Sequence, residues 1–444
     1  MNYDILIQGC TVLMPDFTMA KNMSVGISNG FIAAVNKMER ASSDTGDIVI
    51  DGSERLLMPG LVDAHTHCCQ QLLRGRVSDE YPMRWSRFYV PFESRLDPDD
   101  VYLSAQLCCL EMIKSGTTSF AESGGVHMNR VADAVIESGM RAAIAKSSMD
   151  SGSVVGDPMK ETADEIINRT EDLYRAYQGA GDGRIDIWFA LRQVMTCSPE
   201  LVRRVGEKAA EYNTGIHAHL YEHKDEVSFC LQNYKKRPAA FLDEMGVLGP
   251  NLLTAHNVVL SEDDITLMRR RDVKLIHCPR GNLTSHGFSK TPRLMECGFQ
   301  VGIGSDGAAT NNLNLFDEIK VLRVAMVAYW GLPAFDPVIM RCAELLKMVT
   351  INGAAALGKA DKIGSVEVGK KADVILLDIS QPHLAATHNL LNTVVESIDG
   401  HDVTDSIIDG KLVMRNRKVL TLDEEKIIAD SRQRIKELAI RAGF

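Results

Sequence analysis

The sequence predicts an α/β protein: a TIM-like (β/α)8 barrel with a small β-sandwich domain formed from both chain ends. Three observations lead there. The middle of the 444-residue chain repeats one unit, a short apolar strand, a polar loop and a helix of 3.6-residue periodicity. Both ends lack that unit and read as short strands separated by turns. Finally, the polar residues that interrupt the apolar strands fall at strand C-terminal ends, where parallel barrels carry their chemistry.

Eight strands are expected, at Leu57–His65, Thr117–Glu122, Arg141–Ser148, Ile185–Val194, Thr214–Leu220, Leu252–His256, Val273–Cys278 and Gln300–Ser305. The helix after Asp99 and Asp100 illustrates the units between them. Val101, Ala105, Cys108 and Met112 share one face, acids sit at its start and Gly116 follows its end. At the termini, Ile5 to Val35 and Ala372 to Val419 are punctuated by Ser28-Asn29-Gly30 and Ile408-Asp409-Gly410, which read as hairpin turns. A lone hairpin is only marginally stable, so the two ends are expected to pair into one sheet. Asp423 to Arg441 reads as a surface helix with Ile427, Ile428, Ile435, Leu438 and Ile440 at helical spacing. The expected divisions are residues 1–56 and 366–444 for the terminal domain, with its last helix, and residues 57–365 for the barrel.

Composition narrows the function. With 45% hydrophobic and 24% charged residues the chain can bury a large core. A net charge of -10 excludes a basic nucleic-acid footprint, and Arg269, Arg270 and Arg271 read as a helix C-terminus. No apolar run reaches the roughly 20 residues of a membrane span, and the N-terminus has no signal-peptide pattern. These features predict a cytoplasmic protein that binds a small molecule, with no membrane partner. A homo-oligomer is the expected assembly. The ten cysteines lie in apolar stretches without C-x-x-C spacing and read as buried thiols.

The chemistry gathers at four strand ends. Strand one closes on His65-Thr66-His67, where alternation puts both imidazoles on the same side. Alone, that pair is a weak sign, reading more readily as a hydrogen-bonded surface or core feature than as a metal site. Strand five adds His217, His219 and, three residues on, Glu222; strand six adds His256; strand eight ends Gly304-Ser305-Asp306-Gly307. Imidazoles and one carboxylate at one rim are the ligand types of a catalytic divalent-metal site.

This order, H-x-H, His219 with Glu222, His256 and Asp306, resembles the amidohydrolase superfamily. Pro59 to His67, Leu72-Leu73-Arg74-Gly75 and Ser305 to Asn312 are similar more closely to the methylthioadenosine and S-adenosylhomocysteine deaminases, with triazine hydrolases as near relatives. The likeness spans essentially the whole chain. It implies one divalent ion per chain, zinc before iron, held by His65, His67, His219 and Asp306. No strand-four lysine is placed to bridge a second ion. Glu222, His256 and Asp306 become the catalytic groups that move and orient protons around a water whose pKa the ion lowers to about 7. His217 is open between a partner of a ligand and a satisfied core histidine.

The same resemblance implies a hydrolytic deaminase of a nitrogen heterocycle, an adenosine-type compound first. Glu93 is similar to the family's ribose-binding carboxylate, and Trp85 stands where an aromatic wall is expected. Glu93 reads alternatively as a helix-start charge paired with Arg95. Arg192 departs from the family's histidine after strand four, and Arg280 adds a second cation after strand seven. With Gln70, these arginines would suit an oxo-purine, pterin or aminotriazine. Each could instead pair with a rim acid such as Glu122. A cyclic-amide hydrolase is a further alternative, and a non-enzymatic scaffold would be expected to lack one or more ligands, all of which are present.

Overall fold

Eight parallel strands run round a common axis: β1 (Leu61–Thr66), β2 (Thr117–Glu122), β3 (Arg141–Ala145), β4 (Ile185–Leu191), β5 (Ile216–Leu220), β6 (Leu252–His256), β7 (Lys274–His277) and β8 (Gly302–Ile303). The computed structural model describes residues 1–38, 44–152 and 159–443. Neighbours in the barrel are neighbours in sequence, from β8 through to β1. The seam between β8 and β1 is drawn together just past the short last strand. There the Asp306 amide donates to the His65 carbonyl at 3.0 Å and the Ser305 amide donates to Asp63 Oδ1 at 2.9 Å.

The helix over Pro98–Lys114 shows why these units form. Asp97 caps its first turn by accepting from the Asp99 and Asp100 amides, and Val101, Ala105, Cys108 and Met112 are all fully buried. Arg269 and Arg270 end the helix Glu262–Arg270, as their charge predicts. The cysteines are free thiols, nine of them buried. Among the described residues no helix is long and apolar enough to cross a membrane.

The terminal domain is one mixed nine-stranded sheet. The N-terminal end contributes Asn2–Leu13, Met19–Ser28, Phe31–Lys37, Thr45–Asp51 and Arg55–Pro59; the C-terminal end contributes Val374–Asp378, Val403–Ile408, Lys411–Arg415 and Lys418–Val419. Both hairpin turns form with left-handed pairs, Asn29 and Gly30 at φ 53° and 82°, Asp409 and Gly410 at φ 51° and 73°. The terminal helix Glu424–Ala442 packs a narrower apolar face than its spacing suggests: Ile427 and Leu438 are buried, while Ile440 is 84% exposed.

One expected strand is two. Arg55–Pro59 runs antiparallel to Val374–Asp378 in the terminal sheet, and β1 begins only at Leu61. The chain changes sheets at Gly60, whose amide donates to the Asp373 carbonyl at 2.9 Å. A Cβ at Gly60 would fall 2.1 Å from Thr118 Oγ1, so the close approach requires glycine. The apolar pieces on either side of Pro59-Gly60 are too short for their periodicity to tell one strand from two.

A buried ion pair ties the barrel to the terminal sheet beside this crossing. Arg141, at the start of β3, bonds Asp373 through Nε at 2.8 Å and NH2 at 3.1 Å and reaches Asp409 at 3.4 Å. Removing one member strands the other charge in low dielectric. Arg141→Ala is expected to cost about 3 to 5 kcal/mol of unfolding free energy in a denaturant titration. A loss under about 1 kcal/mol would mean the pair holds nothing together.

Candidate active site

Five side chains converge inside the mouth of the barrel. One ligand atom each from His65, His219, His256 and Asp306 lies within 4.8 Å of the other three. His67 joins them, with Nε2 at 3.3 Å from His219 Nε2 and 3.6 Å from Asp306 Oδ1. His65 Nε2 stands 3.3 Å from the same carboxylate oxygen.

Hydrogen bonds directed away from the centre aim these rings. His65 Nδ1 is 2.8 Å from His217 Nε2, His67 Nδ1 is 2.8 Å from Ser123 Oγ, and His256 Nδ1 is 3.0 Å from Asn282 Oδ1. With each ring hydrogen on Nδ1, all three rings turn the Nε2 lone pair inward. His65 Nε2 and His256 Nε2 are buried with no hydrogen-bond partner. Burial holds His65, His67, His217 and His219 below the ordinary histidine range, so they are neutral donors. Burial pushes the Asp306 carboxyl up, yet His256 and His65 hold it below its ordinary value. Neutral inward lone pairs around one carboxylate fit a divalent cation.

Strained backbone makes this convergence possible. His256 and Asp306 sit at φ 79° and 62°, and Tyr221, just past β5, sits at φ 55°. Tyr221 is pinned by its amide donating to Glu226 Oε2 at 2.5 Å and its hydroxyl to Asp264 Oδ1 at 2.6 Å. The pinned turn delivers Glu222 to the rim. Gly281 allows the helix Pro279–Ser285 to press against Asp306, where a Cβ would lie 2.5 Å from Oδ2.

Glu222 faces His256, its Oε1 lying 4.0 Å from Nε2. Its Oε2 accepts from Gln193 Nε2 at 2.8 Å, and Oε1 lies 3.0 Å from His286 Nε2. Burial raises the Glu222 carboxyl, but His256 and His286 outweigh it and hold the group well below the usual carboxylate range.

The outer residues sort clearly. Gln70 donates to Glu93 Oε1 at 2.6 Å, and both are buried. Glu93 is therefore tied to Gln70 and not to Arg95 at a helix start. It forms a wall of a cavity of about 480 Å³ whose lining includes Val126, Met149, Met159 and Leu173. Trp85 lies below Arg192, whose Cζ is 5.9 Å from the ring centroid. Arg192 is buried; its guanidinium donates to Gly124 O at 3.4 Å and stands 3.5 Å from His67 Nδ1, a close approach and not a bond while that nitrogen carries the ring hydrogen. It does not pair with Glu122, whose carboxylate accepts the Cys68 and Gly124 amides at 2.6 and 2.9 Å. Arg280 does pair with acids, at 3.6 Å to Asp317 and 3.8 Å to Glu318. Sequence reasoning passed over Ser123, Asn282 and His286 and did not assign Gln193 a role. Ser123, Gln193 and His286 lie outside regular helix and strand and Asn282 in the helix Pro279–Ser285, and none has a periodic signature.

A parallel barrel with an inward His and Asp cluster at its C-terminal rim defines a metal-dependent hydrolase type of site. The amidohydrolase family model matches residues 56–413, and the chain belongs to that family. It is 38% identical over 447 residues to a 5-methylthioadenosine/S-adenosylhomocysteine deaminase of Pelotomaculum thermopropionicum, covering 99% of both chains. It is 36% identical over 445 residues to a 5'-deoxyadenosine deaminase of Methanosarcina acetivorans, again covering 99% of each. Among solved structures, an adenosine deaminase from Xanthomonas campestris with bound zinc superimposes with a TM-score of 0.91 at 30% identity, covering 98% of this chain and 99% of that one.

The ring-aiming contacts generate a test. His217→Ala removes the acceptor from His65 Nδ1 and is expected to weaken divalent-metal affinity about 10- to 100-fold in a chelator competition. Unchanged affinity would make His217 a packing residue.

Proposed function

We propose that the chain is a zinc-dependent deaminase, holding one ion through His65, His67, His219 and Asp306 and releasing ammonia from a nitrogen heterocycle. The observation that carries this reading is Glu222, an ionised carboxylate facing His256 beside a cluster of inward neutral imidazoles. The ion, when bound, supplies Lewis-acid activation of the attacking water. His256 Nε2 and Asp306 orient that water. Glu222 takes one proton of the water and hands it to the ring nitrogen as the hydroxyl adds to the neighbouring amino-bearing carbon; the hydroxyl's remaining proton is then passed, with the help of Asp306 and Glu222, to the amino group, so that the C–N bond breaks, ammonia leaves and a ring carbonyl forms. Assigning His256 to the water and not to the ion rests on its facing Glu222.

An adenosine-type substrate is the first choice. The buried Glu93 carboxylate offers acceptors for ribose hydroxyls, the cavity beside it has room for a 5'-substituent, and relatives over the full length carry adenosine-type names. One observation favours a second reading: among the described residues the buried Arg192 guanidinium has no carboxylate within ion-pair distance, which suits a ring carbonyl or oxyanion.

Ammonia release from methylthioadenosine, S-adenosylhomocysteine, adenosine, 8-oxoguanine, isoxanthopterin and an aminotriazine separates the two. Turnover of the adenosines, with Glu93→Ala raising KM and Arg192→Met nearly silent, is the expected result. If Arg192→Met instead lowers kcat/KM on an oxo-substrate about 10- to 100-fold, the second reading replaces the first. No ammonia from any compound would reject both. Glu222→Gln is expected to lower kcat about 10²- to 10⁴-fold with metal content unchanged; loss of the metal would make Glu222 a ligand.

A further inference from the structure

We infer that His286 is a positioning residue for Glu222, acting through its charge as well as its hydrogen bond; the inference rests on the deaminase reading above. Glu222 must begin the cycle ionised, to accept a proton from water, and must stay aimed while it passes that proton to the ring nitrogen. Two donors from opposite parts of the rim hold it. Gln193 follows β4 and bonds Oε2 at 2.8 Å; His286 follows the helix after β7 and reaches Oε1 at 3.0 Å. The first donor is neutral. The second is titratable.

The surroundings of His286 favour its charged form. Burial opposes the cation, but the hydrogen bond to Glu222 and the charges of Glu222 and Asp306 outweigh it and raise the ring above the ordinary histidine value. Arg84, which bonds Ser285 next door, works against the cation. The other titratable neighbours are His223, stacked at 5.9 Å between centroids, and His256 at 6.2 Å. His286 therefore carries its proton below its raised value and loses it as pH climbs through that value. The stabilisation of ionised Glu222 is present on the acid side of that point and fades on the alkaline side.

Three substitutions in the metal-loaded protein separate charge from geometry. His286→Ala is expected to lower kcat about 10-fold with little change in KM, and to move the acid limb of the kcat/KM profile up by about one pH unit, because Glu222 loses its cation. His286→Gln restores a donor without charge, so it should recover part of kcat while keeping the shifted limb. Gln193→Ala should lower kcat and leave the limb in place. An unmoved limb in both His286 variants, or an effect confined to KM, overturns the proposal. A second measurement needs no substrate: NMR titration of the His286 ring should show its pKa fall in Glu222→Gln. A ring that titrates identically in that variant also overturns the proposal. A wild-type protein inert towards every heterocycle would instead sink the deaminase reading, and the NMR titration would still decide whether the pair exists.

Discussion

The mouth of the barrel depends on the seam where the last strand meets the first. His65 and His67 lie on one side of it and Asp306 on the other, so the cluster exists only if the barrel closes. The closure is built from backbone: Asp306 N to His65 O, and Ser305 N to an Asp63 carboxylate that also accepts the His65 amide at 3.3 Å. Gly304 leaves no room for a side chain, since a Cβ there would stand 2.6 Å from the His65 Cβ. Metal–ligand bonds are about 2.0 to 2.2 Å long for nitrogen and oxygen donors. A slip of about that scale at the seam would leave the Asp306 oxygen out of reach, whatever the rest of the cluster did.

Electrostatics at the centre follow from what stands behind each ring. His217, Ser123 and Asn282 stand behind the Nδ1 atoms of His65, His67 and His256, burial keeps His65, His67 and His219 neutral, and the Asp306 carboxylate is the anion among the cluster's own groups. The neighbouring charges are then divided by side. Arg192 approaches through His67, while ionised Glu222 approaches His256.

Most of the barrel was legible because a strand-loop-helix repeat writes its period into the sequence, and the five convergent residues were legible because imidazoles and acids are rare at apolar strand ends. What escaped has a common cause. The passage from the terminal sheet to β1 lies inside the stretch Leu57 to His65, where Pro59-Gly60 is a local break signal, but that two sheets meet there is fixed by the packing of Gly60 against Thr118. Ser123, Asn282 and His286 matter through contacts across the rim that no local pattern encodes. Arg280, named for the substrate, meets Asp317 and Glu318 from a helix far along the chain, a pairing that spacing could not rank above a ligand contact.

Building one sheet from both ends of the chain also sets a schedule for synthesis. Strand Arg55–Pro59 finds its outer partner only in Val374–Asp378, some 300 residues later. At about 5 to 20 residues per second, a ribosome leaves that edge open for an order of tens of seconds. Leu56, Leu57 and Met58, fully buried in the finished molecule, are then presented on an unpaired strand. The nascent protein thus carries an unpaired apolar edge through more than half of its translation.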